Sequence, residues 1–176
     1  MRHKTLAGTL FLALLLGCFQ ARADNDQPMN NKKLDQLIKR LDPEPKGRPG
    51  FRTFKIGGYT VTVITDERTD RMRIIVPIAD IANLTSGQML RMLQANFDTS
   101  MDTRYAIAKD TVWAAFIHPL SPLSNHEFVS GVAQVVNLAT SYGTTYSSGV
   151  MRFKGGDSED LLRDAYDKLM EKGLQV

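Results

Sequence analysis

The sequence predicts an α+β fold, an antiparallel sheet of about five strands packed with helices in the order α-βββ-α-ββ-α-α. Three observations carry that expectation. Tyr59-Thr-Val-Thr-Val-Ile-Thr65 alternates apolar and polar residues as a half-buried strand does, with β-branched residues throughout. Glycine pairs and short charged turns separate it from its neighbours, which joins consecutive strands as hairpins. Other segments repeat apolar residues every three or four positions, the period of a helix packed along one face.

The elements follow in order. Leu34, Leu37, Ile38 and Leu41 recur at helical spacing with Lys32, Lys33, Lys39 and Arg40 opposite, giving a helix from Asn31 to Leu41. Pro43, Pro45, Gly47, Pro49 and Gly50 end it in a linker. Phe51 to Ile56, Tyr59 to Thr65 and Met72 to Ile78 form a three-strand meander, turned at Gly57-Gly58 and at Asp66 to Asp70. A helix from Thr85 to Phe97 precedes a hairpin of Thr103 to Ala108 and Thr111 to His118. In its second strand Val112, Ala114 and Phe116 alternate with Trp113, Ala115 and Ile117, so both faces are apolar and a central or doubly covered place is expected. Helices from Ser124 to Tyr142 and Asp157 to Lys172 close the chain, each followed by glycine, Gly143 and Gly173. A short strand, 149–153, is expected between them.

FIHPLSPLSNHEF, Phe116 to Phe128, is the one chemically equipped stretch, yet it reads as architecture. Ser124 and Glu127 fit a capping box, with Leu123 and Phe128 as the flanking hydrophobic staple. Leu84-Thr85-Ser-Gly-Gln88-Met89 repeats the device. His118 ends a strand and His126 begins a helix, and a metal site wants at least three protein ligands. Asp98 and Asp102 read as solvated surface acids, and the hydroxyl-rich Ser141 to Gly149 lacks a nucleophile elbow. No catalytic, cofactor or metal residue is assigned.

The first 23 residues read as a signal peptide: Arg2 and Lys4, then an apolar run from Leu6 to Leu16, then a cut between Ala23 and Asp24. Leu15-Leu16-Gly17-Cys18 offers a second cut, which would lipidate Cys18. Residues 24–30 read as a flexible N-terminus and 31–176 as one domain. Of 22 Lys+Arg and 19 Asp+Glu, three cations (Arg2, Lys4, Arg22) and no acid lie in the signal, leaving the rest balanced. Nucleic-acid binding, which needs a basic face, finds no support in that composition. Cys18 is the only cysteine, which excludes a disulfide framework and a cysteine metal site.

Leu90-x-x-Leu93-x-x-Asn96-Phe97, Val112-Trp-Ala-Ala-Phe116 before Pro119-Leu120, and Phe128-x-x-x-Val132-x-x-Val135-Val136-x-x-Ala139, taken with the element order, resemble the class I type III secretion chaperones, the Tir-chaperone-like group, and their YbjN-like relatives. The resemblance spans Asn31 to Tyr142. It implies an α+β homodimer without catalytic residues that holds an extended protein or peptide client. Carried over, the dimer helix would present Met89, Leu90, Met92, Leu93 and Phe97, and the client surface Leu34, Leu37, Phe54, Tyr59 and Val61. The expected function is therefore a non-catalytic, exported, chaperone-like protein that needs no cofactor, located in the periplasm or secreted, and binding a partner in the bacterial envelope by apolar surface and sheet edge. The alternatives are a small envelope hydrolase using His118 or a lipid-anchored structural component.

Overall fold

The computed structural model describes residues 27–149 and 159–175, with side chains from 164 onward in the second span. The expected signal segment, Cys18, the expected Ala23–Asp24 cut and the strand expected at 149–153 fall wholly or largely outside the described residues. In chain order the elements are α1 (Asn31–Leu41), β1 (Lys46–Arg48), β2 (Phe51–Ile56), β3 (Tyr59–Asp66), β4 (Arg71–Asp80), a 3₁₀ turn (Ile81–Asn83), α2 (Ser86–Asp98), β5 (Thr103–Ala108), β6 (Thr111–Pro119), α3 (Asn125–Thr140) and α4 (Glu159–Leu174). The expected α+β class and order stand, with a sixth strand added.

That strand, β1, lies in the segment read as linker. Gly47 makes it possible: its φ is +95°, and a Cβ there would stand 2.3 Å from the Phe51 carbonyl oxygen. The sheet is antiparallel throughout, in the order β1-β2-β3-β4-β6-β5. The hairpin therefore joins the meander through its second strand, leaving β5 at the edge. A register shift between Pro77 and Ala79 breaks the alternation that the sequence shows running on to Ile78.

Both capping boxes form. Thr85 N–H donates to Gln88 Oε1 at 2.9 Å and Gln88 N–H to Thr85 Oγ1 at 3.2 Å. Ser124 N–H donates to Glu127 Oε2 at 2.7 Å and Glu127 N–H to Ser124 Oγ at 3.1 Å. These bonds satisfy amide groups that a helix start leaves without intrahelical partners.

One face of the sheet carries the core. Val61, Val63, Met72, Ile74, Val76, Val112, Ala114 and Phe116 all point into it and are buried. α3 lies across β3 to β6 on this face, and Gly131 lets it approach: a Cβ there would meet the Phe116 ring at 3.0 Å. Burial of α3 extends beyond the expected seam, taking in Ser130, Gln134 and Asn137 as well. Its other flank is occupied by α4, whose Tyr166 hydroxyl bonds Ser130 Oγ at 2.9 Å. α1 sits on the same face, where the Asp35 carboxylate takes two bonds from the Arg52 guanidinium at 2.9 and 2.7 Å. Met29, in the segment expected to be flexible, is buried, and its N–H donates to the Ser121 carbonyl.

Gly173 departs from its expected role as a stop. It lies inside α4, where a Cβ would be 2.6 Å from Val129 and 3.2 Å from Leu41. Lys172 Nζ donates to the Leu41 carbonyl at 2.6 Å. The final helix thus covers α1 and α3 together.

Candidate protein-binding surfaces

α2 is held from behind and open in front. Met92 and Ala95 are buried, Arg91 stands 5.4 Å from the Tyr146 ring centre, and Thr99 Oγ1 donates to the Tyr146 carbonyl at 2.6 Å. Met89, Leu90, Leu93 and Phe97 point outward, with Leu93 at 62% and Phe97 at 93% exposure. Positions 89, 90, 93 and 97 make one stripe at helical spacing. Met92, expected in this group, faces the core instead. Ile107 of β5, on the same face as Tyr105 and two residues along, adds an exposed apolar group on the strand that α2 packs against.

The second open surface is the sheet face opposite α3. Register places Phe51, Ile64, Arg73 and Ile117 in one row across β2, β3, β4 and β6, and Thr53, Thr62, Ile75 and Ala115 in the next. Ile117 is 68% and Phe51 45% exposed. The apolar outer side of β6, read as central or covered, is central between β4 and β5 but open on this side. Trp113 lies half-buried there and donates its indole N–H to the Ala108 carbonyl at 2.9 Å.

The residues expected to form a client surface are placed otherwise. Leu34, Leu37, Phe54 and Val61 are core, each 3% exposed or less, and Tyr59 is partly buried against it. Helical spacing shows that α1 buries a stripe, but not whether that stripe meets a partner or its own sheet. Here it meets its own sheet and α4.

Both sheet edges are blunted. β1 is three residues long between Pro45 and Pro49, and β5 is covered by α2, whose Asn96 carboxamide bonds the backbone of Tyr105. His118 is stacked on Phe116 and its Nδ1 lies 2.7 Å from the Pro119 carbonyl oxygen. The Glu127 carboxylate is held below its ordinary range, mainly by the Ser124 N–H and then the Ser124 hydroxyl, with lesser contributions from His118 and His126. As a capping acceptor it is a weak base, poorly suited to hydrolysis. Among the described residues no group of three or more candidate metal ligands gathers.

No family model matches the chain, and no curated protein sequence matches it. Solved structures do. The Yersinia pestis type III secretion chaperone SycH, in complex with a stable fragment of YscM2, superposes with a TM-score of 0.51 at 14% identity, over 64% of this chain and 98% of that one. The ExsC–ExsE complex gives 0.50 at 15%, over 63% and 92%. The chain thus has a class I type III secretion chaperone-like fold. One expectation is corrected by this likeness: SycH, which shares the fold, is a type III secretion chaperone, which points away from a periplasmic or secreted protein.

Proposed function

We propose that this protein is a non-catalytic, chaperone-like binding protein that pairs with a second copy through α2 and holds a segment of another polypeptide on the open face of its sheet. The observation that carries the reading is the exposure of large apolar side chains on two separate, well-anchored surfaces: Leu93 and Phe97 on α2, Phe51 and Ile117 on the sheet. Contiguous exposed apolar groups on a stable scaffold favour burial in a partner. The neighbours in fold, crystallised with a YscM2 fragment and with ExsE, support a polypeptide partner. The blunted edges shift the expected mode from strand addition toward side-chain burial on a face.

Photo-crosslinking residues placed separately at Leu93 and Ile117 in the producing cells test this. Leu93 is expected to trap a second copy of the chain, and Ile117 a different polypeptide. Failure of both positions to trap any protein would overturn the proposal.

A further inference from the structure

The same open sheet face is strongly basic, although residues 24–176 are balanced in charge. Pleating sends Lys46, Arg48, Lys55, Arg71, Arg73 and Arg104 to this one side, and all six are exposed. The acids that share it, Asp66 and Asp80, sit at strand ends and are engaged by their own turns. Asp66 accepts from the N–H groups of Arg68 and Thr69, and Asp80 from that of Ala82. The one salt bridge among the described residues, Arg52 with Asp35, belongs to the opposite face.

Five of these cations border a floor of apolar and threonine side chains, and Arg73 stands within it between Ile64 and Ile117. One row reads Arg48, Phe51, Ile64, Arg73, Ile117, and the next Lys46, Thr53, Thr62, Ile75, Ala115, Arg104. At about 4.8 Å per strand, Lys46 and Arg104 stand roughly 24 Å apart. An extended chain rising about 3.3 Å per residue spans that gap in about seven residues.

We infer that this face docks an acidic polypeptide segment: a short apolar or β-branched centre flanked by Asp or Glu, lying across the strands with its carboxylates over the row-end cations. The inference rests on the proposed reading of this face as a polypeptide-binding surface, and adds the chemistry of the ligand. Charge complementarity selects the sign of the partner and speeds its encounter. A polypeptide is favoured over nucleic acid because Phe51, Ile64, Ile75 and Ala115 put apolar surface between the cations, which a phosphate backbone would leave unused.

The test uses fluorescence anisotropy with the full chain and three labelled probes. Two are short peptides sharing a Leu-Thr repeat centre, one ending in glutamates and the other in lysines; the third is a single-stranded DNA oligonucleotide. The glutamate peptide is expected to bind about tenfold or more tighter than the lysine peptide. High salt, and the pair Lys46→Glu with Arg104→Glu, should abolish that preference, and Lys46→Arg with Arg104→Lys should keep it. Circular dichroism melts check that the variants fold, and Ile117→Ser, which leaves the charges intact, should weaken both peptides alike. Equal binding of the two peptides, a preference unchanged in the charge-reversed chain, or tighter binding of the oligonucleotide would overturn the inference. If the Ile117 crosslink to a partner persists in the charge-reversed chain, the acidic-ligand inference fails while the polypeptide-binding reading stands.

Discussion

The side chain of Asn96 takes the place of a neighbouring strand for Tyr105. Its Oδ1 accepts the Tyr105 N–H at 2.7 Å and its Nδ2 donates to the Tyr105 carbonyl at 3.2 Å. A backbone unit on the sheet's outermost strand is thereby satisfied by a helix, which fixes α2 against β5 and sets the direction of its exposed stripe. Asn96→Leu keeps the volume and removes both bonds. Chemical denaturation is expected to show a loss of about 1–3 kcal/mol, the cost of leaving partly buried polar groups unpaired. Asn96→Asp, which retains the acceptor alone, should recover part of it. An unchanged stability for Asn96→Leu would remove Asn96 as the anchor.

The α2 stripe is expected to be the self-association surface. Leu93→Glu with Phe97→Glu places charges where two copies would bury apolar groups. Sedimentation should show a dimer for the wild type and a monomer for the variant. The thermal midpoint of the separated monomer should change little, because both side chains lie on the exposed side of α2.

The position of α4 rests on Gly173. Gly173→Val drives methyl groups into Val129 and Leu41, where even a Cβ has no room. Overpacking of this kind costs about 1–3 kcal/mol. Hydrogen exchange should accelerate in α4 and along the covered side of α1, with the sheet unaffected. Retained protection in α4 would place the helix elsewhere.

Glu127 gives a pH signature. Its folded pKa is lowered by the Ser124 N–H and hydroxyl. A depressed carboxylate contributes stability that is full above its unfolded value and is lost as pH falls through the lower folded value. Glu127→Gln keeps an N3 acceptor of the type Gln88 supplies in α2 while removing the charge. Denaturation midpoints of the two chains should therefore lie furthest apart near neutrality and converge as the pH falls through the acid range. A constant gap across that range would separate the effect from ionisation.

Much of the fold was legible because local signals and tertiary packing agree. α1 ends at Leu41, just ahead of Pro43, β5 spans the expected Thr103–Ala108, and both capping boxes form as Thr85–Gln88 and Ser124–Glu127 spell them. β1 was hidden because Gly47, a residue that ordinarily marks a loop, uses its positive φ to continue the sheet. The candidate surfaces were half legible. The α2 stripe followed from helical period, apart from the inward turn of Met92. Leu34, Leu37, Phe54 and Val61 looked equally apolar in sequence, but only the packing of α1 and α4 decides that they are core. The basic face was invisible to composition, since cations spread over four strands meet only once the register is set.

Native mass spectrometry of the protein purified from its own cells tests the central proposal most directly. The expected species is two copies of the chain carrying a further polypeptide, dissociating to bare monomer when Leu93→Glu, Phe97→Glu and Ile117→Asp are combined. A wild-type chain that appears alone, as a single copy with nothing bound, would contradict it.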